Sequence, residues 1–458
     1  MDIGPMMEGW LKPIDTGKVP PDGSEFDVIV VGGGPCGSAA AAYNAMNGCR
    51  VLLIEKEIWP RDKPCGDAVG GKSLTHVKEL GVKEMIEATP YFTVDSIVFG
   101  SANGSSVRVM LPQEEFEKKM AGYSLPRIQF DYMMFKRATE IVTGAGGSVI
   151  QGFSVEEVGV EEGCVKGVTG RFGGRGSNEG TLTFTAPLTI GAGGYRCPVA
   201  TTLVEGIHNE AMRDDDHYCG AYREYWKGVG GFEGSQGAIE IHFINEVVPG
   251  YFWLFPVQEG VVNVGIGMVI SEQRKQKGAD KSLKKKQRWV IEQHPVFKER
   301  FKNAELVEGS QKGWQLPFGS PRKKAPSFQP RRSAGAGVMC VGDAASLVDP
   351  FTGEGIGNGL VSAKMTAKHF EKDEHAGGFP EEVATAYMEE LWGTLGKELT
   401  NSFRLQKLVK WKRTMNWFVG RASRKEKMAD MLTGMIADKE ASKALWNPWF
   451  LFKTIVLP

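Results

Sequence analysis

Charge of one sign is not in excess in this sequence: 55 lysines and arginines are matched by 55 aspartates and glutamates among 458 residues. With 41% apolar residues, this composition is typical of a globular protein and excludes a disordered chain, which combines low hydrophobicity with high net charge. The zero net charge and the lack of a known recognition motif also argue against a nucleic acid partner.

Long hydrophobic runs are missing as well. No stretch of about 18 consecutive apolar residues occurs, so no transmembrane helix is predicted, and segment 1–25 lacks the basic start and apolar core of a secretory signal. The seven cysteines are odd in number and form no C-x-x-C pair, which argues against a disulfide framework, a structural zinc site or an iron–sulfur cluster. We therefore expect a cytoplasmic protein without a metal ion.

Glycine is abundant instead, with 59 residues, and its first cluster lies in a βαβ pattern. The apolar segment 26–31 predicts a buried parallel strand, the alanine-rich segment 38–46 predicts a helix, and 51–54 predicts a second buried strand. The residues between the first strand and the helix, 32–37, read Gly-Gly-Gly-Pro-Cys-Gly and fit the dinucleotide-binding pattern G-x-G-x-x-G.

Each residue of this pattern has a physical role in holding a dinucleotide. Gly32 permits the tight turn, Gly34 lets the backbone approach a pyrophosphate, and Gly37 lets the helix pack closely on the strand. The helix N-terminus presents free N–H groups and the positive end of its dipole to the phosphates. Glu55, at the end of the second strand, is placed to accept hydrogen bonds from the adenosine ribose. We therefore predict a dinucleotide site.

A second glycine-rich turn favours FAD over NAD as the dinucleotide. Segment 337–341 predicts another buried strand that ends at Asp343, whose carboxylate can accept hydrogen bonds from the ribityl chain of a flavin. Segment 350–357 (Pro-Phe-Thr-Gly-Glu-Gly-Ile-Gly) predicts a turn that opens a helix, and its N–H groups can stabilise the negative charge of a reduced flavin ring. A nicotinamide enzyme needs neither feature.

The rest of the chain interrupts this nucleotide-binding unit with segments rich in β-branched and aromatic residues, which predict antiparallel strands. The expected fold class is α/β with α+β insertions: a Rossmann-type FAD-binding domain, an antiparallel-sheet substrate domain and a helical C-terminal region. The predicted boundaries are 26–90, 123–205 and 330–372 for the FAD-binding domain, 91–122 and 206–329 for the substrate domain, and 373–458 for the basic and aromatic C-terminal region.

Several motifs resemble those of known flavoproteins. The glycine motif, segment 342–357 and segment 123–131 (Tyr-Ser-Leu-Pro-Arg-Ile-Gln-Phe-Asp) are similar to the FAD-dependent p-hydroxybenzoate hydroxylase-like superfamily. Segments 63–69 (Lys-Pro-Cys-Gly-Asp-Ala-Val), 249–256 (Pro-Gly-Tyr-Phe-Trp-Leu-Phe-Pro) and 263–267 (Asn-Val-Gly-Ile-Gly) resemble the geranylgeranyl reductase family, in particular the archaeal digeranylgeranylglycerophospholipid reductases.

The resemblance covers residues 26 to about 370 and implies FAD as the cofactor. By the matched motif positions, the residues that contact FAD are Gly37, Glu55, Cys65, Gly66, Ala68, Arg127, Asp343, Gly355 and Ile356. One position departs from the superfamily, because Gly193 stands where an aspartate is usual. Since that aspartate often serves both flavin and nicotinamide contacts, its absence counts against direct use of NAD(P)H. The external electron donor, ferredoxin or NAD(P)H, is left open.

Two features of these motifs have alternative interpretations. Cys65, beside a glycine in a loop near the flavin, is either a proton donor or redox gate, or a small packing residue under the flavin. Tyr251, Trp253 and Phe255 alternate along a predicted strand and therefore share one face, where they form the core of the sheet or line a tunnel for a long hydrocarbon. For the aromatic residues both interpretations can hold.

The function that the resemblance implies is saturation of isolated carbon–carbon double bonds in geranylgeranyl chains, of archaeal-type ether phospholipids or of geranylgeranyl diphosphate. An isolated alkene has no carbonyl to polarise it, so hydride from reduced FAD has to be combined with a proton. Two rivals are a flavin monooxygenase or halogenase of the same fold and an electron-transfer flavoprotein. The sequence lacks the W-x-W-x-I-P signature of halogenases and any iron–sulfur cysteine cluster.

The C-terminal region points to a membrane surface. Segment 397–428 is rich in lysine and arginine and carries an apolar stripe at helical spacing: Leu408, Trp411, Met415 and Phe418. This pattern and the aromatic segment 446–452 are typical of a helix that lies on an anionic membrane, although a helix docked on its own protein has the same pattern. We expect an isoprenoid lipid substrate and a location peripheral to the membrane.

Overall fold

The structure, a computed structural model, describes residues 11–111, 122–258, 260–276, 281–322, 331–410 and 420. The strands within those residues are β1 Val28–Val31, β2 Val51–Glu55, β3 Ala68–Val69, β4 Phe92–Ser101, β5 Ser106–Met110, β6 Gly122–Ser124, β7 Ser148–Gln151, β8 Phe153–Glu161, β9 Cys164–Phe172, β10 Leu182–Thr185, β11 Leu188–Gly191, β12 Tyr218–Lys227, β13 Gln236–Phe243, β14 Gly250–Gln258, β15 Val261–Val269, β16 Glu305–Leu306, β17 Lys312–Pro317, β18 Ala334–Gly335 and β19 Val338–Cys340.

The α-helices within the same residues are α1 Pro35–Met46, α2 Lys72–Glu79, α3 Lys83–Glu87, α4 Arg127–Gly144, α5 Pro198–Thr201, α6 Ile270–Lys275, α7 Leu283–Gln293, α8 Ile356–His369 and α9 Glu381–Val409. Short 3-10 turns are present at Gly194–Arg196, Asp215–His217 and Gly342–Ala345, and a π-helical turn covers Thr202–Ile207.

The first layer is a six-stranded, mostly parallel sheet in the order β18–β19–β11–β1–β2–β7. Every residue of β1, β2 and β11 is buried, which explains their largely apolar sequences, since parallel strands are covered on both faces. Helix α1 packs on β1 and β2 and against α4 and α8. The predicted strands and helix of the βαβ unit are confirmed, and the helix begins earlier than expected, at Pro35, because proline fits the first helical turn.

The second layer is a sheet of ten strands in the order β16–β12–β15–β14–β13–β4–β6–β3, with β17 also paired to β12 and β5 to β4. Its pairings are antiparallel, as predicted, except that β13 runs parallel to β4. These two strands lie far apart in the chain, and a long connection permits parallel pairing. Strands β3 and β6 belong to this second sheet, although the sequence analysis assigned their segments mainly to the FAD-binding domain. The domain boundaries themselves stay a prediction.

The C-terminal helix α9 runs to Val409. The side chains of the predicted apolar stripe (Leu408, Trp411, Met415 and Phe418) and the aromatic segment 446–452 lie outside the described residues. In the part of the chain that the structure describes, no helix is long and apolar enough to cross a membrane.

Candidate active site

The first glycine turn has no room for side chains at two positions. Gly32 has φ +114°, and a Cβ there would lie 2.5 Å from the carbonyl oxygen of Ala192. A Cβ on Gly37 would lie 1.7 Å from the carbonyl oxygen of Gly32, so the first turn of α1 touches the strand backbone. Gly34 caps α1 without a side-chain hydrogen bond, which leaves N–H groups of the first helical turn for a ligand.

The Glu55 carboxylate is held in one orientation beside this turn. It is 4% exposed, and its oxygens accept hydrogen bonds from the backbone N–H groups of Gly33 at 2.8 Å and Glu57 at 2.9 Å. Arg61, which the sequence analysis missed, lies nearby, with its guanidinium 3.0 Å from Asp131 and 4.0 Å from Glu55. It places a cation next to the predicted pyrophosphate position, and a lone arginine in a loop carries no sequence signal.

Helix α8, which follows the second glycine turn, crosses α1 beside the first glycine turn. A Cβ on Gly359 would meet Sγ of Cys36 at 2.2 Å, and one on Gly342 would meet it at 2.7 Å, so α1 and α8 cross on small residues. Asp343 was predicted to end a strand, and this was wrong in detail. Strand β19 already ends at Cys340, and Asp343 lies three residues further on, in the 3-10 turn that begins at Gly342 with φ +57°.

The groups of the second turn are positioned for an anionic or hydroxyl-rich ligand. Asp343 forms an ion pair with Lys63 at 3.2 Å. Gly355 caps α8 without a side-chain bond, while the N–H of Gly357 donates to the Glu354 carboxylate at 2.5 Å. Within the described part of the chain, the N–H groups of Gly355 and Ile356 donate to no other group, and their contact with the flavin stays a prediction.

These residues fit FAD. Two glycine cradles that a Cβ would fill lie side by side, each opens a helix whose capping residue makes no side-chain hydrogen bond, and each has a carboxylate beside it. Helix N-termini bind phosphates and stabilise negative charge, and carboxylates bind the hydroxyls of ribose and ribityl groups.

Arg127 is buried and paired with an acidic residue of its own helix. It forms a bidentate ion pair with Asp131, at 2.5 and 2.8 Å, and its guanidinium also interacts with the Cys65 side chain. Burial by itself lowers the pKa of Arg127, but the Asp131 carboxylate raises that pKa well above its usual range. The structure therefore makes Arg127 a permanent cation beside the Cys65 thiol, and a contact with FAD stays a prediction.

A buried polar cluster behind Cys65 was not predicted from the sequence. Asp67 is fully buried with φ +69°, and it accepts hydrogen bonds from Tyr225 Oη at 2.5 Å, Asn263 Nδ2 at 2.7 Å and the N–H of Arg127 at 3.2 Å. Asn263 also donates to the Cys65 carbonyl at 2.6 Å. This cluster fixes the loop that carries Cys65, Gly66 and Ala68 to the second sheet.

We expect Asp67 to make stability depend on pH. Burial raises the pKa of Asp67 to about 6, although Arg223, Tyr225 and Asn263 oppose this shift. The pKa in the unfolded chain is about 3.9, so the folded state holds the proton more tightly, and the free energy of unfolding falls by about 2 kcal/mol as pH rises from about 4 to 6. Urea denaturation of the wild type and of Asp67→Asn across this range measures the effect. If the difference in unfolding free energy between the two proteins does not change with pH, the raised pKa of Asp67 is contradicted.

The three predicted aromatic residues of β14 share one face, as expected, and pack in one apolar cluster. Tyr251 and Trp253 line a narrow cavity together with other largely apolar residues that include Phe243 and Phe351. Phe255 instead packs on the loop that carries Cys65 and Gly66, where a Cβ on Gly66 would lie 2.8 Å from the Phe255 ring. We call the space lined by Tyr251 and Trp253 the aromatic cavity.

The second glycine turn forms one wall of the aromatic cavity. Tyr251 Oη donates a hydrogen bond to the carbonyl of Thr352 at 2.5 Å, and the Phe243 and Phe351 rings stack at 5.6 Å. Trp253 Nε1 donates to Asn263 Oδ1 at 2.8 Å, so the same asparagine joins the cavity to the Cys65 loop. The fold and this site together define a flavoprotein, an FAD-dependent oxidoreductase with an apolar cavity beside its cofactor site.

Comparison with known proteins specifies the family. Residues 25–220 match the FAD binding domain model, and residues 220–307 match the geranylgeranyl reductase catalytic domain model. Digeranylgeranylglycerophospholipid reductase 2 of Methanopyrus kandleri is 30% identical over 81% of this chain and 84% of that protein. The chain belongs to the geranylgeranyl reductase family, and it is an FAD-dependent oxidoreductase that acts on carbon–carbon double bonds.

Two further relatives have different names. Menaquinone reductase of Mycolicibacterium smegmatis is 27% identical over 75% of each chain. The crystal structure of a geranylgeranyl bacteriochlorophyll reductase-like protein from Thermoplasma acidophilum superposes with a TM-score of 0.70 and 22% identity, over 92% of this chain and 98% of that one. The latter similarity shows that the fold is shared.

Proposed function

We propose that this protein saturates the isolated double bonds of geranylgeranyl chains, most directly those of archaeal-type ether phospholipids, with geranylgeranyl diphosphate as the other candidate. The observation that carries the proposal is the aromatic cavity, which is largely apolar and has the second glycine turn as a wall. An apolar chain that enters this cavity is brought against the turn predicted to hold the flavin ring. A polar substrate would leave its hydrogen-bonding groups unpaired there.

Cys65 is the residue to which we assign the proton. Saturation of an isolated double bond adds a hydride to one carbon and a proton to the other, and FAD, when bound and reduced, supplies the hydride. Sγ of Cys65 holds the proton, and the thiolate left behind is stabilised by the Arg127 cation beside it.

The cavity lining protects the reaction from water. Positive charge that develops on a substrate carbon is captured by water unless the site is dry. Trp253 is 6% exposed and presents an aromatic ring to the cavity, where the ring also attracts a developing cation. Access of a lipid tail to such a cavity is consistent with a protein at the membrane surface, the location that the C-terminal sequence predicts.

A second candidate substrate is a menaquinone. The relative from Mycolicibacterium smegmatis, which aligns with three quarters of this chain, is named menaquinone reductase. The aromatic cavity accepts an apolar chain whichever head group carries it. The two candidates therefore differ outside the cavity, and a substrate comparison separates them.

Product masses test the proposal. Dithionite-reduced protein is incubated without oxygen with a geranylgeranyl ether phospholipid, with geranylgeranyl diphosphate or with a menaquinone, and each product is analysed by mass spectrometry. We expect the phospholipid to gain two hydrogens for each reduced bond and to react faster than the diphosphate. A phospholipid that is recovered unchanged while the menaquinone is reduced would overturn the substrate assignment.

A further inference from the structure

A buried arginine contacts the 3-10 turn Gly342–Ala345, which carries Asp343. This arginine, Arg331, is 3% exposed. Its guanidinium donates to three carbonyl oxygens, those of Ala344 at 2.5 Å, Asp343 at 3.4 Å and Met212 at 3.4 Å. It also donates to Tyr218 Oη at 3.2 Å, and its Nε is buried without a partner among the described residues. A guanidinium keeps its positive charge in proteins, so the charge behind this turn is permanent.

This buried charge has no acidic partner. In the part of the chain that the structure describes, no carboxylate oxygen lies within 4.0 Å of the Arg331 guanidinium, although the adjacent Arg332 pairs with two glutamates. The carboxylate of Asp343 pairs with Lys63 instead, and Arg331 contacts only the carbonyl of Asp343. Carbonyl dipoles compensate a full charge only in part, and an uncompensated buried charge is costly. An anion that binds close by would supply the missing negative charge.

The turn connects this charge to the predicted position of the FAD diphosphate. A Cβ on Gly342, the first residue of the turn, would lie 2.7 Å from Sγ of Cys36, and Cys36 belongs to the first turn of α1. The N–H groups at that end of α1 are the ones predicted to bind the diphosphate. The Gly342–Ala345 turn therefore contacts both the Arg331 guanidinium and the first turn of α1.

The orientation of the turn directs the effect of the charge toward the same place. Arg331 binds carbonyl oxygens in the C-terminal half of the turn, where a cation stabilises helical hydrogen bonds. In the N-terminal half, the N–H of Gly342 donates to Ser362 Oγ at 3.1 Å, while the N–H of Asp343 donates to no group among the described residues. Hydrogen bonds in series polarise one another, so a cation on the carbonyls makes the free N–H of Asp343 a stronger donor.

We propose that Arg331 is a positioning residue for FAD, and that its buried charge stabilises the diphosphate of the cofactor through the Gly342–Ala345 turn. Arg331 acts without touching FAD, and the diphosphate supplies the negative charge that the guanidinium lacks. The flavin ring is the other group of FAD that can carry negative charge, but only when it is reduced. The diphosphate is charged in both states, and its predicted position lies beside Cys36, which the turn contacts. The proposal rests on FAD as the cofactor, and the isoprenoid substrate plays no part in it.

Equilibrium dialysis of the full-length protein against FAD tests the proposal. Arg331→Met removes the charge, and Arg331→Lys retains it. Arg332→Met is the matched control, because Arg332 is the next residue and forms partly exposed ion pairs with Glu210 and Glu381. We expect Arg331→Met to raise the Kd for FAD about tenfold, Arg331→Lys to raise it by less than about threefold, and Arg332→Met to leave it unchanged. If Arg331→Met does not fold, Arg331→Gln takes its place, since glutamine keeps a donor for the Ala344 carbonyl and lacks the charge.

The reduction potential of the bound FAD separates this role from two others. A charge that serves the diphosphate acts alike on oxidised and reduced FAD, so the midpoint potential of Arg331→Met should equal that of the wild type. A fall of about 30 mV, which corresponds to tenfold weaker binding of reduced relative to oxidised FAD, would assign the charge to the flavin ring and overturn the proposal. An unchanged Kd in Arg331→Met, or equal losses in Arg331→Met and Arg331→Lys, would show that the arginine only holds the backbone of the turn. None of these results bears on the product masses of the reductase reaction, so the two proposals are tested separately.

Discussion

Replacement of Cys65 by alanine is expected to lower the turnover of a geranylgeranyl substrate by about 10²–10⁴-fold while FAD stays bound. The substitution removes the only group that we assign to hold the proton. It leaves the loop in place, because Asn263 bonds to the Cys65 carbonyl, not to its side chain, and Asp67 is untouched. Turnover is measured with dithionite as the reductant, so that the physiological donor does not enter.

Two further substitutions make the Cys65 experiment specific. Cys65→Ser retains a poorer acid at the same position and should fall between the alanine variant and the wild type. Cys164→Ala changes a half-buried cysteine of β9, which pairs with β8 and β10 in a separate three-stranded sheet, and it should leave turnover unaltered. Unchanged turnover in Cys65→Ala with a full content of FAD would show that the cysteine is a packing residue under the flavin.

Replacement of Gly37 by alanine is expected to yield protein without FAD. The added Cβ would lie 1.7 Å from the carbonyl oxygen of Gly32, and both atoms belong to the backbone framework, so no side-chain rotation relieves the overlap. Helix α1 must then move away from β1, which removes its N–H groups from the predicted pyrophosphate position. Overpacking also costs about 1–3 kcal/mol or more in stability.

Visible absorbance per protein, together with the melting temperature, measures the effect of the Gly37 substitution. Gly144→Ala is the matched control, because it lies at the end of α4 and a Cβ there meets no atom within 4 Å. Alanine is the better helix former by up to about 1 kcal/mol, so this control should retain FAD and melt no lower than the wild type. A Gly37→Ala protein with full FAD content would show that α1 can shift without loss of the site.

The parts of the site that could be predicted are those in which neighbouring residues carry the signal. The strand, turn and helix around Gly32 and Gly37 follow from local sequence, as does the shared face of Tyr251, Trp253 and Phe255. Their side-chain directions are fixed by the period of the element, which is a local property.

The polar cluster could not be predicted because its members lie far apart in the chain. Asp67 and Asn263 are separated by 196 residues, and Asp67 and Tyr225 by 158, so only the folded topology brings them together. The ion pair of Arg127 with Asp131 is a different case. Its four-residue spacing on one helix was visible in the sequence, and the family motif directed attention to FAD instead.

In the aromatic cavity, some features follow from local sequence and others only from the folded topology. The alternation along β14 predicts which rings share a face, yet only the structure shows that Phe255 covers Gly66 while Tyr251 bonds to Thr352. The contact between Tyr251 and Thr352 depends on how the second glycine turn packs on the second sheet. These two residues are 101 positions apart in the chain, so local sequence does not predict the contact.

The most direct test of the central claim is the oxidation state of the flavin in the absence of oxygen. Purified protein is reduced with dithionite under anaerobic conditions, the excess reductant is removed, and a geranylgeranyl ether phospholipid is added while the flavin spectrum is followed. A reductase predicts that the flavin is reoxidised at the rate at which saturated lipid appears. Flavin that stays reduced until oxygen is admitted would contradict the account and favour a monooxygenase or halogenase on the same fold.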